Sequence, residues 1–299
     1  MTTPFTTEPP SFQRYLSSKK TVDDRALNKD VWHALQTNMP PQPRILEIGA
    51  GIGTMAERLL EKGLIRDGCY TAVDNNPANI QTAQTRLNNL QNNINFQLEA
   101  IDLFDFAQRE QGVQTWDVLI AHAFLDLMDI EATLPILFSL LKPGGLFYFT
   151  INFDGATILE PAIEPEFDTL VERLYHQTMD DRMTNGRFSG DSRSGRHLFT
   201  HLRNNNTQIL AAGSSDWVIF ANPPLPSASS GNDNLGSGNY PADEAYFLHF
   251  IIHTMHQALK DHPQLDEGKF NNWITQRHQQ IEAGELVYIA HQLDFLGTI

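Results

Sequence analysis

Between Arg44 and Ile151 short β-rich runs alternate with helix-length amphipathic stretches, and this alternation limits the chain to a narrow set of folds. The runs are RILEI (44–48), CYTAVD (69–74), INFQLEA (94–100), WDVLIA (116–121) and GLFYFTI (145–151), with helices expected at about 53–63, 77–90 and 131–141. A strand, a helix and a further strand form a crossover unit that closes right-handed, so the runs build a parallel sheet with helices on both faces. In such a sheet ligands bind at the carboxyl ends of the strands.

The first run leads directly into Glu47-Ile48-Gly49-Ala50-Gly51-Ile52-Gly53-Thr54. Glycines here permit a tight turn, let a ligand approach the backbone where a Cβ would clash, and open a helix whose amino end carries unpaired N–H donors. Two readings compete. A dinucleotide site requires Gly-x-Gly-x-x-Gly/Ala as the strand ends. Counted from Gly49, the sixth position is Thr54, which fails; the register that matches, Gly51 to Ala56, begins too far past the strand. Glu47 has no part in that fingerprint. An NAD-dependent oxidoreductase is therefore kept as the alternative enzyme.

Glu47-x-Gly49-x-Gly51-x-Gly53 resembles the first motif of the class I S-adenosylmethionine-dependent methyltransferases. The order that follows is similar to the same family: Asp74 closes the second run, Asp102-Leu103 follows the third, Asp117 begins the fourth, and LLKPGGLFYF (140–149) makes the fifth. The resemblance spans about 44–151. It implies an α/β, Rossmann-like class I methyltransferase fold with a seven-stranded, mostly parallel sheet and helices on both faces. It also implies S-adenosyl-L-methionine as cofactor and S-adenosyl-L-homocysteine as product. On that reading Asp74, with Asn75 beside it, accepts from the ribose hydroxyls. Asp102 accepts from the adenine amino group, and the Leu103 N–H meets a ring nitrogen. The backbone of Gly49, Ala50 and Gly51 lines the methionine tail, and Gly53 completes the motif. Glu47 holds the glycine loop or reaches the tail's ammonium through water. Local roles compete with these, since Asp74 can start the turn Asp-Asn-Asn-Pro and Asp102 can cap a helix. A protein that binds S-adenosylmethionine without turnover is the non-enzymatic alternative.

In the family the segment after the fourth strand, here Ala121-His122-Ala123-Phe124-Leu125-Asp126-Leu127, lies under the methyl group and often faces the acceptor. His122 is the first candidate for a general base, because an imidazole titrating near neutrality can take a proton from an attacking hydroxyl or amine. Asp126 is the second. Alternatively, Ala121 and His122 only pack on the adenosyl group. Methyl transfer is an in-line displacement on an activated sulfonium, so positioning and desolvation alone can carry it. Tyr15, Phe124, Arg187 and Tyr246 are the candidates for contacting the acceptor.

Nearly half of the 299 residues lie beyond the fifth run. A sixth strand is expected at DWVIFA (216–221) and a seventh at ELVYIAHQL (285–293), with a helix at 196–204. The organisation then reads as a helical leader at 1–43, a cofactor-binding core at 44–151 and a lid insertion at 152–195. A return to the core follows at 196–221, then a helical insertion at 222–284 and a last core strand at 285–299. Leader and insertions are expected to form a helical cap over the strand ends. Arg173, Arg182, Arg187, Arg193, Arg196 and Arg203 crowd one stretch. They could pair with a carboxylate or phosphate of the acceptor, or be balanced in a solvated loop by Asp180, Asp181 and Asp191. His249, His253 and His256 share a helix face, but no Cys or carboxylate stands ready to complete a site, so no metal is expected. Asn222-Pro223-Pro224-Leu225 resembles the Asn/Asp-Pro-Pro-aromatic motif of amino-methyltransferases. It follows the sixth strand, however, and ends in Leu where a flipped base needs an aromatic ring.

The 36 Asp+Glu against 21 Lys+Arg give a formal net charge of −15, which repels phosphate backbones. The expected acceptor is therefore a small molecule methylated at oxygen or nitrogen, not a nucleic acid. The single cysteine, Cys69, opens the second run and is expected to be buried and inert; it cannot form an internal disulfide, which fits a reducing compartment. The first residues show no basic region followed by an apolar run, and the most apolar stretch, ATLPILFSLL, is short and interrupted by Pro135. A cytoplasmic protein without a membrane partner is expected.

Overall fold

In a computed structural model of the chain, residues 10–90, 93–113, 115–184, 186–222 and 237–299 are described, with 187 and 237 represented by backbone alone. The chain runs α1 (Phe12–Ser18), α2 (Lys20–Ala26), α3 (Lys29–Asn38), β1 (Arg44–Ile48), α4 (Thr54–Glu61), β2 (Asp67–Asp74), α5 (Pro77–Asn88), β3 (Asn93–Ala100), α6 (Leu103–Glu110), β4 (Trp116–His122) and α7 (Ile130–Ser139). It continues through β5 (Leu141–Glu160), α8 (Pro165–Asp180), β6 (Met183–Thr184), β7 (Arg187–Phe188), α9 (Ser194–Asn204), β8 (Gln208–Ser214), β9 (Trp217–Ile219), α10 (Glu244–Leu259), α11 (Glu267–Glu282) and β10 (Val287–Thr298).

The chain divides into two compact units, each assembled from three separated stretches. One comprises Leu27–Asp154, Arg182–Asp216 and His291–Ile299. It contains the sheet, in the order β3-β2-β1-β4-β5-β10-β8, with β1 parallel to β2 and β4, β2 parallel to β3, β4 parallel to β5, and β8 antiparallel to β10. Strand order reverses between β1 and β4, the switch point at which an open α/β sheet takes its ligand. Successive residues point to opposite faces, and the two faces carry separate cores. Leu46, Ile48, Leu119, Ala121, Phe147 and Phe149 pack under α6, α7 and α9 through Phe106, Leu134, Leu137 and Leu198. Ile45, Tyr70, Ala72, Val118 and Ile120 pack under α3, α4 and α5 through Leu35, Met55, Leu59 and Leu87.

The other unit comprises Met1–Ala26, Gly155–Asp181 and Trp217–Ala290. It is largely helical. Tyr15 of α1 stacks on Phe247 and Phe250 of α10 at centroid separations of 5.5 and 4.1 Å, and Trp217 meets Phe247 edge-on. Its buried polar groups are held in pairs. Glu244 accepts from Thr21 and from both terminal nitrogens of Arg25. Asp23 accepts from Lys19 Nζ and Trp217 Nε1, each at 2.9 Å. Asp168 takes Arg277 Nη2, Trp273 Nε1 and the N–H groups of Ile163 and Glu164.

Several expectations are corrected. The residues of DWVIFA form only the three-residue β9, while the full strand that follows α9 is QILAAGS (208–214), whose alternating burial marks an edge position. The last strand extends to Thr298. The leader divides at Leu27, with α3 packing on the sheet of its own unit, and the 152–195 segment divides at Arg182. Helix α6, which is not among the three helices expected in this half, follows the third strand behind the Asp102 cap. Cys69 is half-buried, because it sits where β2 enters the sheet and burial begins only at Tyr70. Pro223 to Leu225 of the Asn-Pro-Pro segment lie outside the described residues.

Candidate cofactor-binding site

The chain leaves β1 through three left-handed glycines, Gly49 at φ +67°, Gly51 at +54° and Gly53 at +79°. A side chain would cost about 1–2 kcal/mol at each. At Gly49 the requirement is also spatial, since a Cβ would lie 2.3 Å from Cδ2 of Phe124 in the segment leaving β4. The loop is tied to β2. Ala50 N–H donates to the Val73 carbonyl at 3.0 Å, and Gly51 N–H donates to Asp74 Oδ2 at 2.8 Å. Asp74 Oδ1 accepts from the Asn76 N–H at 2.8 Å and from Asn79 Nδ2 at 3.1 Å. An ionised carboxylate has about four acceptor positions. Three are filled, and the fourth belongs to Oδ2, the oxygen beside the glycine loop. The local turn role and the loop-holding role are thus met by one side chain at once. Asn75 is exposed beside it.

Glu47 does not hold the loop. It is buried on the face covered by α4, where Oε2 accepts from the Tyr70 hydroxyl at 2.7 Å. Burial pushes its carboxyl up to about 8, against the opposing pull of the Tyr70 hydrogen bond and the Arg58 guanidinium. At neutral pH the group is largely protonated. The acidic residue of the motif is therefore a buried hydrogen-bonded group on β1, and Asp74 ties the loop.

The segment leaving β4 closes the other side. His122 is 9% exposed and pairs in register with Thr150 of β5, whose Oγ1 lies 2.7 Å from His122 Nδ1. Both strands leave this pair through left-handed residues that are not glycine, Ala123 at φ +50° and Ile151 at +57°. Such a conformation costs about 1–3 kcal/mol at each and persists only where the surroundings enforce it. Here Ala123 N–H donates to the Thr150 carbonyl at 2.8 Å, and Ile151 N–H donates to Asp294 Oδ1 at 2.8 Å. Asp294 is fully buried and its other oxygen accepts from Asn28 N–H, which fixes the start of α3. Ala121 is buried at the strand end, Phe124 lies half-buried over Gly49, and Asp126 is half-buried in a 3₁₀ turn at Leu125–Leu127.

Asp102 is exposed and caps α6, its Oδ1 accepting from Phe104 N–H at 2.7 Å, while Leu103 opens the helix. The remaining candidates are dispersed. Tyr15 and Tyr246 belong to the helical unit. Tyr15 is sandwiched in the aromatic cluster, and the Tyr246 hydroxyl bonds the backbone of Ser11 beneath the Arg14 guanidinium. The arginines do not act as one group. Arg173 bonds Gln264 in the helical unit, Arg196 is bound by Asp154 in the sheet unit, and the Arg187 side chain lies outside the described residues. Asp191 pairs with His197. His249 meets His278 of α11, and among the described residues no three His, Cys, Asp or Glu side chains gather as a metal site. Sequence reasoning missed Thr150, Asn79 and Asp294. An ionisable residue inside an apolar strand was a usable signal for Asp294; Thr150 acquires meaning only from the β4–β5 register.

A glycine loop after the first strand, an acidic residue closing the second and a sheet of this order define a class I S-adenosylmethionine-dependent methyltransferase fold. Residues 46–147 match the methyltransferase domain family. Over 141 residues (44% of this chain) the sequence is 30% identical to a hybrid PKS-NRPS synthetase of Emericella nidulans, of which it covers 3%. It is 28% identical over 125 residues (41% of this chain) to a ubiquinone biosynthesis O-methyltransferase of Coxiella burnetii, of which it covers 50%. The chain thus spans half or less of the length of these curated relatives. A crystal structure of a mycolic acid cyclopropane synthase with S-adenosylhomocysteine aligns with a TM-score of 0.47 at 11% identity, covering 93% of this chain and 83% of that one. Among the described residues no helix is long and apolar enough to cross a membrane.

Proposed function

We propose that the chain binds S-adenosylmethionine at the β1/β4 switch point and transfers its methyl group to oxygen or nitrogen of a small-molecule acceptor. The observation that carries this reading is Asp74, a buried carboxylate at the end of β2 with one acceptor position left beside the glycine loop. The residues present fit the cofactor. Asp74 Oδ2 can accept from a ribose hydroxyl, and exchange of the Gly51 N–H would release a second position. Asp102 uses Oδ1 in capping, which leaves Oδ2 for an exocyclic amine, and Leu103 in the first turn of α6 offers an N–H without an intrahelical partner. The left-handed glycines leave the backbone open to a ligand's tail.

When bound, S-adenosylmethionine supplies an activated methyl group on a sulfonium. The chain's own task is to hold and dry that group. Phe124 presents an apolar ring against Gly49, and the His122 ring is fixed by Thr150. A net charge of −15 supports a small acceptor over a polyphosphate. The reading is tested by incubating the protein with methyl-labelled S-adenosylmethionine and a panel of phenols, carboxylic acids, amines, transfer RNA and duplex DNA. Labelled product is expected from oxygen or nitrogen acceptors among the small molecules. Label confined to nucleic acid would overturn the acceptor class, and thermal stabilisation by NAD but not by S-adenosylhomocysteine would overturn the cofactor.

A further inference from the structure

Helix α5 buries Asn79, Ile80, Ala83 and Leu87, so positions 79, 83 and 87 form one stripe at a spacing of four. Two members of the stripe are apolar and rest on the end of the glycine loop. A Cβ at Gly53 would lie 3.2 Å from Cβ of Ala83 and 3.4 Å from Cδ1 of Leu87. The third member is an amide, 2% exposed, where the stripe calls for an apolar side chain. Burying an amide costs free energy unless its groups are bonded, and such a break in the local pattern is expected at functional positions. Asn79 Nδ2 donates to Asp74 Oδ1 at 3.1 Å, and the same oxygen accepts from the Asn76 N–H at 2.8 Å. Both acceptor positions of Oδ1 are thereby taken. Among the described residues Oδ2 accepts from the Gly51 N–H alone, at 2.8 Å, and keeps its second position.

We propose that Asn79 is a positioning residue for the cofactor: by filling Oδ1 it fixes the Asp74 carboxylate and reserves Oδ2, the oxygen beside Gly51, for a ribose hydroxyl. The last torsion of an aspartate is broad and two-fold, so a carboxylate keeps one orientation only where its partners hold it there. The turn and the loop each supply one backbone donor, Asn76 to Oδ1 and Gly51 to Oδ2. Asn79 adds a third attachment from a helix that is itself packed on Gly53. Without it Oδ1 regains an acceptor position, and a hydroxyl is taken by either oxygen in more than one orientation. The hydroxyl contact then weakens, whereas contacts to the tail and the adenine, which do not involve Asp74, are kept. The role toward the cofactor rests on the proposed binding of S-adenosylmethionine; the fixing of Asp74 does not.

Two measurements on the full chain test this, each comparing the wild type with Asn79→Leu, which keeps the size of the side chain and suits the stripe. The first needs no ligand. Amide hydrogen exchange in the variant should be faster by at least about fivefold at Gly51, whose N–H is held by Asp74, and unchanged at Ala50, whose N–H is held by the Val73 carbonyl. An unchanged rate at Gly51 would overturn the proposal, as would equal acceleration at both amides, the mark of a general loosening. The second is calorimetric titration with S-adenosylhomocysteine and with its 2′-deoxy and 3′-deoxy analogues. In the wild type, loss of the hydroxyl held by Oδ2 should weaken binding at least about tenfold, and in Asn79→Leu about threefold or less. A penalty of the same size in both proteins contradicts the positioning role, because a merely structural change would weaken all three ligands alike. If the leucine variant fails to fold, Asn79→Ala carries both comparisons. Absence of S-adenosylhomocysteine binding by the wild type beside selective acceleration at Gly51 sinks the methyl-transfer reading only. Binding beside an unchanged Gly51 amide sinks the positioning role only.

Discussion

Gly49 and Glu47 lie two positions apart and answer to different physics. At Gly49 the left-handed backbone and the Phe124 ring act together, so Gly49→Ala should cost about 2–5 kcal/mol, from strain plus overpacking. Phe124→Ala in the same chain should recover the overpacking part but not the strain, a non-additivity that a double-mutant cycle of unfolding free energies reads directly. Glu47 is a matter of charge. Its folded pKa of about 8 lies above the ordinary glutamate value of 4.5, so the folded state binds the proton more tightly than the unfolded one. Its stabilisation is therefore fully present below about pH 4.5 and is lost as pH rises through 8, at up to about 1.4 kcal/mol per pH unit. Glu47→Gln keeps an acceptor for the Tyr70 hydroxyl and cannot ionise. Denaturant unfolding between pH 6 and 9 should show its stability falling less steeply than that of the wild type; parallel curves would mean that Glu47 is ionised throughout. Both residues stood out in the sequence from their spacing alone. The direction in which Glu47 points did not, because it depends on Tyr70 and Arg58, which only the sheet and α4 bring to it.

At the level of elements, legibility followed burial only in part. β1, β2, β4 and β5 were readable because each carries a buried apolar run, and β3 was read although it alternates exposed and half-buried positions at one edge; β8, with the same pattern at the other edge, was missed. Helix α6 is eight residues long, and only its cap, Asp102, was visible beforehand. Asp294 joins three elements by accepting from Ile151 of β5 and from Asn28 at the start of α3 while lying in β10. Asp294→Ala strands two N–H groups and should cost about 2–6 kcal/mol, at roughly 1–3 for each group left without a partner. Amide exchange should show α3 and the end of β5 opening together. In the helical unit, His249 of α10 and His278 of α11 are 2.8 Å apart at Nδ1, and burial lowers them to about 3 and about 4. Here the unfolded state binds protons more readily. Stability is complete above the ordinary histidine value of 6.5 and falls as pH drops toward 4. Exchange in α10 and α11 should therefore accelerate between pH 6.5 and 5, and His278→Gln should flatten that dependence. Equal acceleration in the variant would place the sensitivity elsewhere.

At the scale of the whole molecule, the chain divides into a sheet unit and a largely helical unit. The boundaries were misplaced because each unit is assembled from three stretches, and local periodicity carries no information about which distant stretches pack together. The cofactor candidates are near one another in the sequence, and the acceptor candidates are not. Glu47 through Asp74 and Asp102 lie on consecutive strands and loops of one unit, while Tyr15 and Tyr246 are taken up in the aromatic packing of the other. The Asp74 carboxylate beside the glycine loop is proposed to hold S-adenosylmethionine. Calorimetric titration of the full chain with S-adenosylhomocysteine tests it most directly, with Asp74→Ala and Asp74→Asn beside the wild type and circular dichroism to confirm folding. Binding by the wild type, weakened at least about tenfold in both folded variants (about 1.4 kcal/mol), is the result this account predicts. No binding by the wild type, or an affinity unchanged when the carboxylate is removed, would contradict it.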